Sequence, residues 1–199
     1  MLTLLLVRPG ATDFDQQGRI QGTLDLPLCE DGRRQTEEAL PGIAAHKPAV
    51  VYTAPCQAAR EAGEMIAEAT GALHQTAIKI KAIDKLCNLN HGLWQGMLVE
   101  EVRTKQPKVY RQWQDQPHTV CPPGGETLLQ VKARVAESLR KLLKKHKEGT
   151  IALVAPEPLA SVIRHVLHHD EVTGLWKGSE RCGVWEAIEV PDEVVAGVA

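Results

Sequence analysis

The sequence predicts an α/β fold of three layers, α/β/α, around a mostly parallel central sheet. Two observations carry this. Three short apolar stretches, "LTLLLV" (2–7), "AVVYTA" (49–54) and "TIALVA" (150–155), each run into a proline-bearing loop. Such runs read as strands buried on both faces. Between them lie stretches of helical period, the pattern of a sheet whose strands are joined by helical crossovers.

In chain order, the first strand ends at Arg8-Pro9-Gly10. "GRRQTEEALPGIAAH" (32–46) follows as a helix interrupted by Pro41. The second strand leads through Pro55, a good first-turn residue, into the alanine-rich helix "CQAAREAGEMIAEAT" (56–70). "LVEEVRTKQPKVYRQWQDQP" (98–117) reads as helical with a break near Pro107. The clearest helix spans about 126–147. Its Leu128, Val131, Val135, Leu139 and Leu142 form one apolar stripe. The opposite face carries Lys132, Arg134, Arg140, Lys141, Lys144 and Lys145, a solvated face or, more sharply, an interaction surface. The third strand follows, then "GVWEAIEV" (183–190), which alternates as an edge strand does. Residues 191–199 read as a loose tail.

At 199 residues the chain suits one domain, 1–199, without a linker or an internal repeat. Lys and Arg total 23 against 25 Asp and Glu, a formal charge of −2, which excludes a dedicated nucleic-acid binder. No apolar run reaches the ~20 residues that span a bilayer, and the start is too short for a signal peptide. Five cysteines without a C-x-x-C pair fit reduced thiols in a cytoplasmic protein.

In such sheets ligands bind beyond the carboxyl ends of the strands. If the three strands are neighbours, Arg8-Pro9-Gly10, Thr53-Ala54-Pro55 and Ala155-Pro156-Glu157 form one pocket. "LVRPGATDFDQQGRIQGTLDLPLCEDGRRQ" (6–35), "VYTAPCQAAREAGEMIA" (51–67), "LCNLNHGLWQGMLVEEV" (86–102), "PPGGETLLQVKARV" (122–135) and "IALVAP" (151–156) stand in the order of a known set of motifs. Together they resemble the histidine phosphatase superfamily, with its phosphoglycerate mutase-like fold. The resemblance implies phosphoryl transfer through a covalent phosphohistidine. The histidine of Arg-His-Gly attacks phosphorus, two arginines and a second histidine hold the phosphoryl oxygens, a glutamate protonates the leaving oxygen, and no metal or other cofactor is needed.

Carried across residue by residue, the motif is depleted. Arg8 matches the first arginine. The nucleophile aligns with Pro9, which has no lone pair to offer. The second arginine aligns with Ala58, and Arg60 lies about 200° further round the helix. The acid aligns with Asn88 and the second histidine with Pro156. Thr12 is kept, while Asp15 stands in place of an asparagine and adds negative charge. Hydrogen bonds to charged groups contribute about 1.5–3 kcal/mol each, so losing three cationic partners removes roughly 4–9 kcal/mol of dianion binding.

The expectation is a pseudoenzyme that keeps the fold without the phosphohistidine mechanism. It would bind a small ligand, anionic or more apolar, through Arg8, Gly10, Thr12, Gln21 and Gly22, or a protein partner; an oligomer stays open. One alternative is an active phosphomonoesterase or phosphomutase with another nucleophile or a metal. Candidates for that are Cys56, at a helix start where the dipole lowers a thiol pKa; His91; and His165 with His169 at i, i+4, beside His168 and Asp170. Each has a plainer reading, as a packed residue or a solvated helix end. Gly124-Gly125 is a weak anion signal. Trp94, Trp113, Trp176 and Trp185 read as core or rim. A third alternative is a purely structural or oligomer-forming protein.

Overall fold

The computed structural model describes residues 1–168 and 182–190. The strands are β1 (Leu2–Val7), β2 (Val50–Thr53), β3 (Lys79–Ala82), β4 (Gly149–Val154) and β5 (Trp185–Val190), and they form one sheet in the order β3-β2-β4-β1-β5. The helices are α1 (Asp13–Gln17), α2 (Glu30–Ala45), α3 (Gln57–His74), α4 (Val99–Lys105), α5 (Pro107–Asp115), α6 (Leu128–Leu143) and α7 (Leu159–His168). The proposed tail and His169 lie outside the described residues.

The three apolar stretches are the central strands. Leu4, Leu5 and Leu6 of β1, Val51 of β2 and Ala152 and Leu153 of β4 have no exposure. All three strands run parallel, and β5 pairs antiparallel to β1 at the edge. β1 to β2 and β2 to β3 step one way across the sheet, whereas β3 to β4 steps back. Right-handed crossovers therefore put α2 and α3 on one face and α6 on the other. Accordingly α2 packs on α3, and α6 on α7.

The stripe predicted on the long helix is buried, with Leu128, Val131, Val135, Leu139 and Leu142 all facing the core. The helix is shorter than 126–147. It starts after Thr127, whose side chain accepts from the Gln130 N–H in a reciprocal capping box. α3 lies close on the sheet because its face is small: Ala58, Ala59 and Ala62 are buried, and a Cβ on Gly63 would come within 2.5 Å of the Thr53 methyl.

Three expectations need correction. α2 is not interrupted at Pro41 but runs through it. Glu37, whose carbonyl loses its donor there, and Pro41 itself both lie on the exposed side of the helix. Arg134 does not belong to a solvated face. It reaches back to Glu126 and donates to the carbonyls of Lys85, Cys87 and Asn88, which ties α6 to the loop before α4. Finally β3 is a strand the apolar-run criterion passes over, since all four residues are exposed. Its signal is alternation, Ile78 and Ile80 interleaved with Lys79 and Lys81 at a sheet edge, where charge discourages further pairing. The break near Pro107 separates α4 from α5 as expected.

Candidate functional site

The carboxyl ends of β1, β2 and β4 lie side by side. Val154 is opposite both Val7 and Thr53 in register. The three following loops therefore meet, as their endings predict, and Arg8 sits at their centre, 7% exposed.

Arg8 is already bound to acids. Its Nε donates to Glu157 Oε1 at 2.6 Å and its Nη1 to Glu186 Oε1 at 3.0 Å. Glu186 in turn pairs with Arg164 Nε at 3.3 Å. Two cations and two carboxylates thus form one charge-balanced chain across β1, β5 and α7. Burial opposes the Arg8 charge, but the bonds and charges of Glu157 and Glu186 outweigh it and hold its pKa above the ordinary value.

Glu157 is held from several sides. Its Oε2 accepts from the Ser161 hydroxyl at 2.7 Å and the Ser161 N–H at 3.3 Å. Its main-chain carbonyl accepts from Asn88 Nδ2 at 3.0 Å, while Asn88 Oδ1 accepts from the Leu89 N–H. An amide at 88 supplies a donor that a carboxylate lacks, so Asn88 and Glu157 fit each other. Asn88→Asp is accordingly expected to cost about 2 kcal/mol, since it sets a buried charge against that carbonyl. A drop in the urea midpoint at unchanged m checks this.

The loop after β1 is equally self-contained. The Gly10 N–H donates to Thr36 Oγ1 and the Ala11 N–H to Gln35 Oε1. The Thr12 N–H and hydroxyl both donate to Asp15 Oδ2, 2.8 Å away in each case, in the capping box of α1. Gly10 serves packing: a Cβ there would lie 1.7 Å from the Gly32 carbonyl oxygen.

What remains is a cavity of about 20 Å³, room for roughly one water. Pro9, Ala58 and Pro156 line it, with Arg8, Asp15 and Glu157, so its charged lining is one cation and two carboxylates. Of the residues expected to bind a ligand, Arg8, Gly10, Thr12 and Gln21 line this cavity and Gly22 does not. Cys182 also lines it. Burial, with Asp15, Glu157 and Cys29 nearby, pushes its thiol up to about 12.

The other candidates lie elsewhere. Cys56 precedes α3, but burial raises its thiol pKa instead of the helix start lowering it. Arg60 points away, as its place on the helix predicts, and pairs with Asp25. His91 is buried against Trp113, ring centroids 5.2 Å apart, and stays outside the cavity. The Gly124-Gly125 turn bonds back to Pro122 and packs on the loop at 90–92. Trp94 and Trp113 are core, Trp185 is half-buried, and Trp176 lies outside the described residues. His168 is exposed, and its proposed cluster with 169 and 170 falls outside the described residues.

Sequence reasoning missed Glu157, Glu186 and Cys182. Glu157 was legible only as the residue after Pro156. Glu186 stood in an alternating edge strand, where an acid is ordinary.

The profile of the histidine phosphatase superfamily (branch 1) matches residues 4–184. The chain belongs to the histidine phosphatase superfamily. Among curated superfamily members, it is 34% identical over 155 residues to phosphoserine phosphatase 1 of Hydrogenobacter thermophilus, covering 78% of this chain and 71% of that one. It is 26% identical over 145 residues to glucosyl-3-phosphoglycerate phosphatase of Mycobacterium tuberculosis, covering 73% of this chain and 62% of that one. The chain thus spans less than two thirds of some curated relatives. Among solved structures, that of the mycobacterial glucosyl-3-phosphoglycerate phosphatase with VO3 superposes at a TM-score of 0.84. It covers 97% of this chain and 93% of the other at 23% identity, which establishes the shared α/β fold. In this histidine phosphatase superfamily member, Arg8 is turned toward two glutamates.

Proposed function

We propose that this chain is a catalytically silent member of the superfamily, without the phosphohistidine reaction. One observation carries the reading: no described imidazole lines the cavity at Arg8, and proline occupies both positions that match the superfamily's histidines. A proline nitrogen in the main chain has no lone pair free to accept a phosphoryl group. Nor does the lining offer an unengaged nucleophile: the Asp15 carboxylate is bonded by Thr12, and that of Glu157 by Arg8 and Ser161. Cys182, with its thiol near 12, is protonated at neutral pH, and the Thr12 hydroxyl is engaged by its capping box. Asn88, at the position of the acid, has no proton to deliver. The small cavity favours a structural or partner-binding role over capture of a small ligand.

A second reading has its own support. The curated relatives named above are phosphatases, and on similarity alone an active phosphomonoesterase with another nucleophile or a metal is the stronger inference. Among the described residues, no group of three or more His, Cys, Asp or Glu is placed to hold a metal ion.

Turnover of p-nitrophenyl phosphate and of O-phosphoserine separates the two. The silent reading expects no release of phosphate above the blank and no acid-labile phosphoenzyme. Saturable hydrolysis that follows the protein through repurification overturns it in favour of the second reading.

A further inference from the structure

We propose that Glu157 is a built-in occupant of the anion site, a carboxylate that the chain itself supplies where Arg8 would otherwise receive a ligand's oxyanion. This rests on the reading above, in which Arg8 marks the former phosphoryl position.

The geometry is that of a bound anion. The Arg8 Nε to Glu157 contact is 2.6 Å, and the two side chains are only 8% and 10% exposed. A charge-assisted bond of that length between buried groups is among the strong ones. Glu157 arrives preorganised: the Ser161 hydroxyl and N–H fix its other oxygen, and Asn88 fixes its carbonyl. It needs no rearrangement to sit on the guanidinium, whereas a free ion would have to displace it.

The rest of the site has closed in the same way. The N–H groups of Gly10, Ala11 and Thr12 all donate to side chains of the protein. At the start of α3 a second acid does likewise, Asp25 Oδ1 accepting from the Gln57 N–H. An incoming phosphate would find these donors engaged, two lining carboxylates, and a cavity of about 20 Å³. The plainer role for Glu157 is to cap α7 through Ser161. Capping alone explains Oε2 but not the bond from Oε1 to Arg8.

The test uses the full chain and inorganic phosphate, with chloride at matched ionic strength as the control. Wild type is expected to show a phosphate-independent Tm. Glu157→Gly is expected to gain Tm with phosphate, with affinity at least about tenfold above wild type. That gain should vanish in the Glu157→Gly/Arg8→Met double variant. Should Glu157→Gly fail to fold, the Arg8 Nε–Hε resonance of the wild-type protein decides, because the proposal requires it to stay in place as phosphate is added. Saturable movement of that resonance overturns the proposal, as does a folded Glu157→Gly whose Tm ignores phosphate. Hydrolysis of p-nitrophenyl phosphate by wild type would instead overturn the silent reading, and is measured separately.

Discussion

Arg8→Met is expected to lower the unfolding free energy by about 3–5 kcal/mol, the cost of leaving one partner of a buried ion pair uncompensated. Glu157, 10% exposed at its side chain, would lose its 2.6 Å partner. Glu186 is cushioned by Arg164 and by its own 31% exposure, so most of the loss falls on Glu157. The Arg8→Met/Glu157→Met double variant should therefore be more stable than Arg8→Met alone, since it removes both charges and leaves apolar volume in their place. Urea midpoints for wild type, the two single variants and the double variant close the cycle. An Arg8→Met loss under about 1 kcal/mol, or a double variant no better than Arg8→Met, would show that the pair behaves as a surface salt bridge.

Acid is expected to destabilise the fold through His91. Burial lowers its pKa from 6.5 to about 4, against a smaller opposing pull from the Glu126 charge. Between those pH values the unfolded chain binds a proton that the folded one refuses. Stability is therefore complete above pH 6.5, falls as pH drops, and levels off below about 4. At about 1.4 kcal/mol per pH unit the loss approaches about 3 kcal/mol. Carboxylates protonate in the same range, so the comparison needs a variant. His91→Phe keeps a ring against Trp113 and removes the titration. Its stability curve should be flatter than wild type between pH 6.5 and 4.5, and parallel curves would place the acid sensitivity elsewhere.

Arg8 and His91 meet the same burial with opposite outcomes. Burial disfavours both charged forms. Arg8 keeps its charge because Glu157 and Glu186 bond it directly. His91 sheds its charge because burial outweighs the smaller opposing pull of the Glu126 charge.

Strand and helix patterns were legible because burial leaves a period in the sequence. "LTLLLV" and "TIALVA" are apolar on both faces since both faces are covered, and the α6 stripe repeats because one face is. β3 escaped because it is exposed along its length and carries no apolar run. The continuity of α2 through Pro41 was hidden because it depends on Glu37 and Pro41 falling on the exposed side of the helix, which packing decides.

At the site, the residues alone determined which groups Pro9, Ala58, Asn88 and Pro156 cannot supply: an imidazole, a guanidinium or an acidic proton, in any conformation. Only the tertiary structure decided what Arg8 meets. Arg8 meets Glu157 and Glu186 across 149 and 178 positions of chain. Contacts at such separations arise from which strand ends the sheet brings together, and strand order has no local signature.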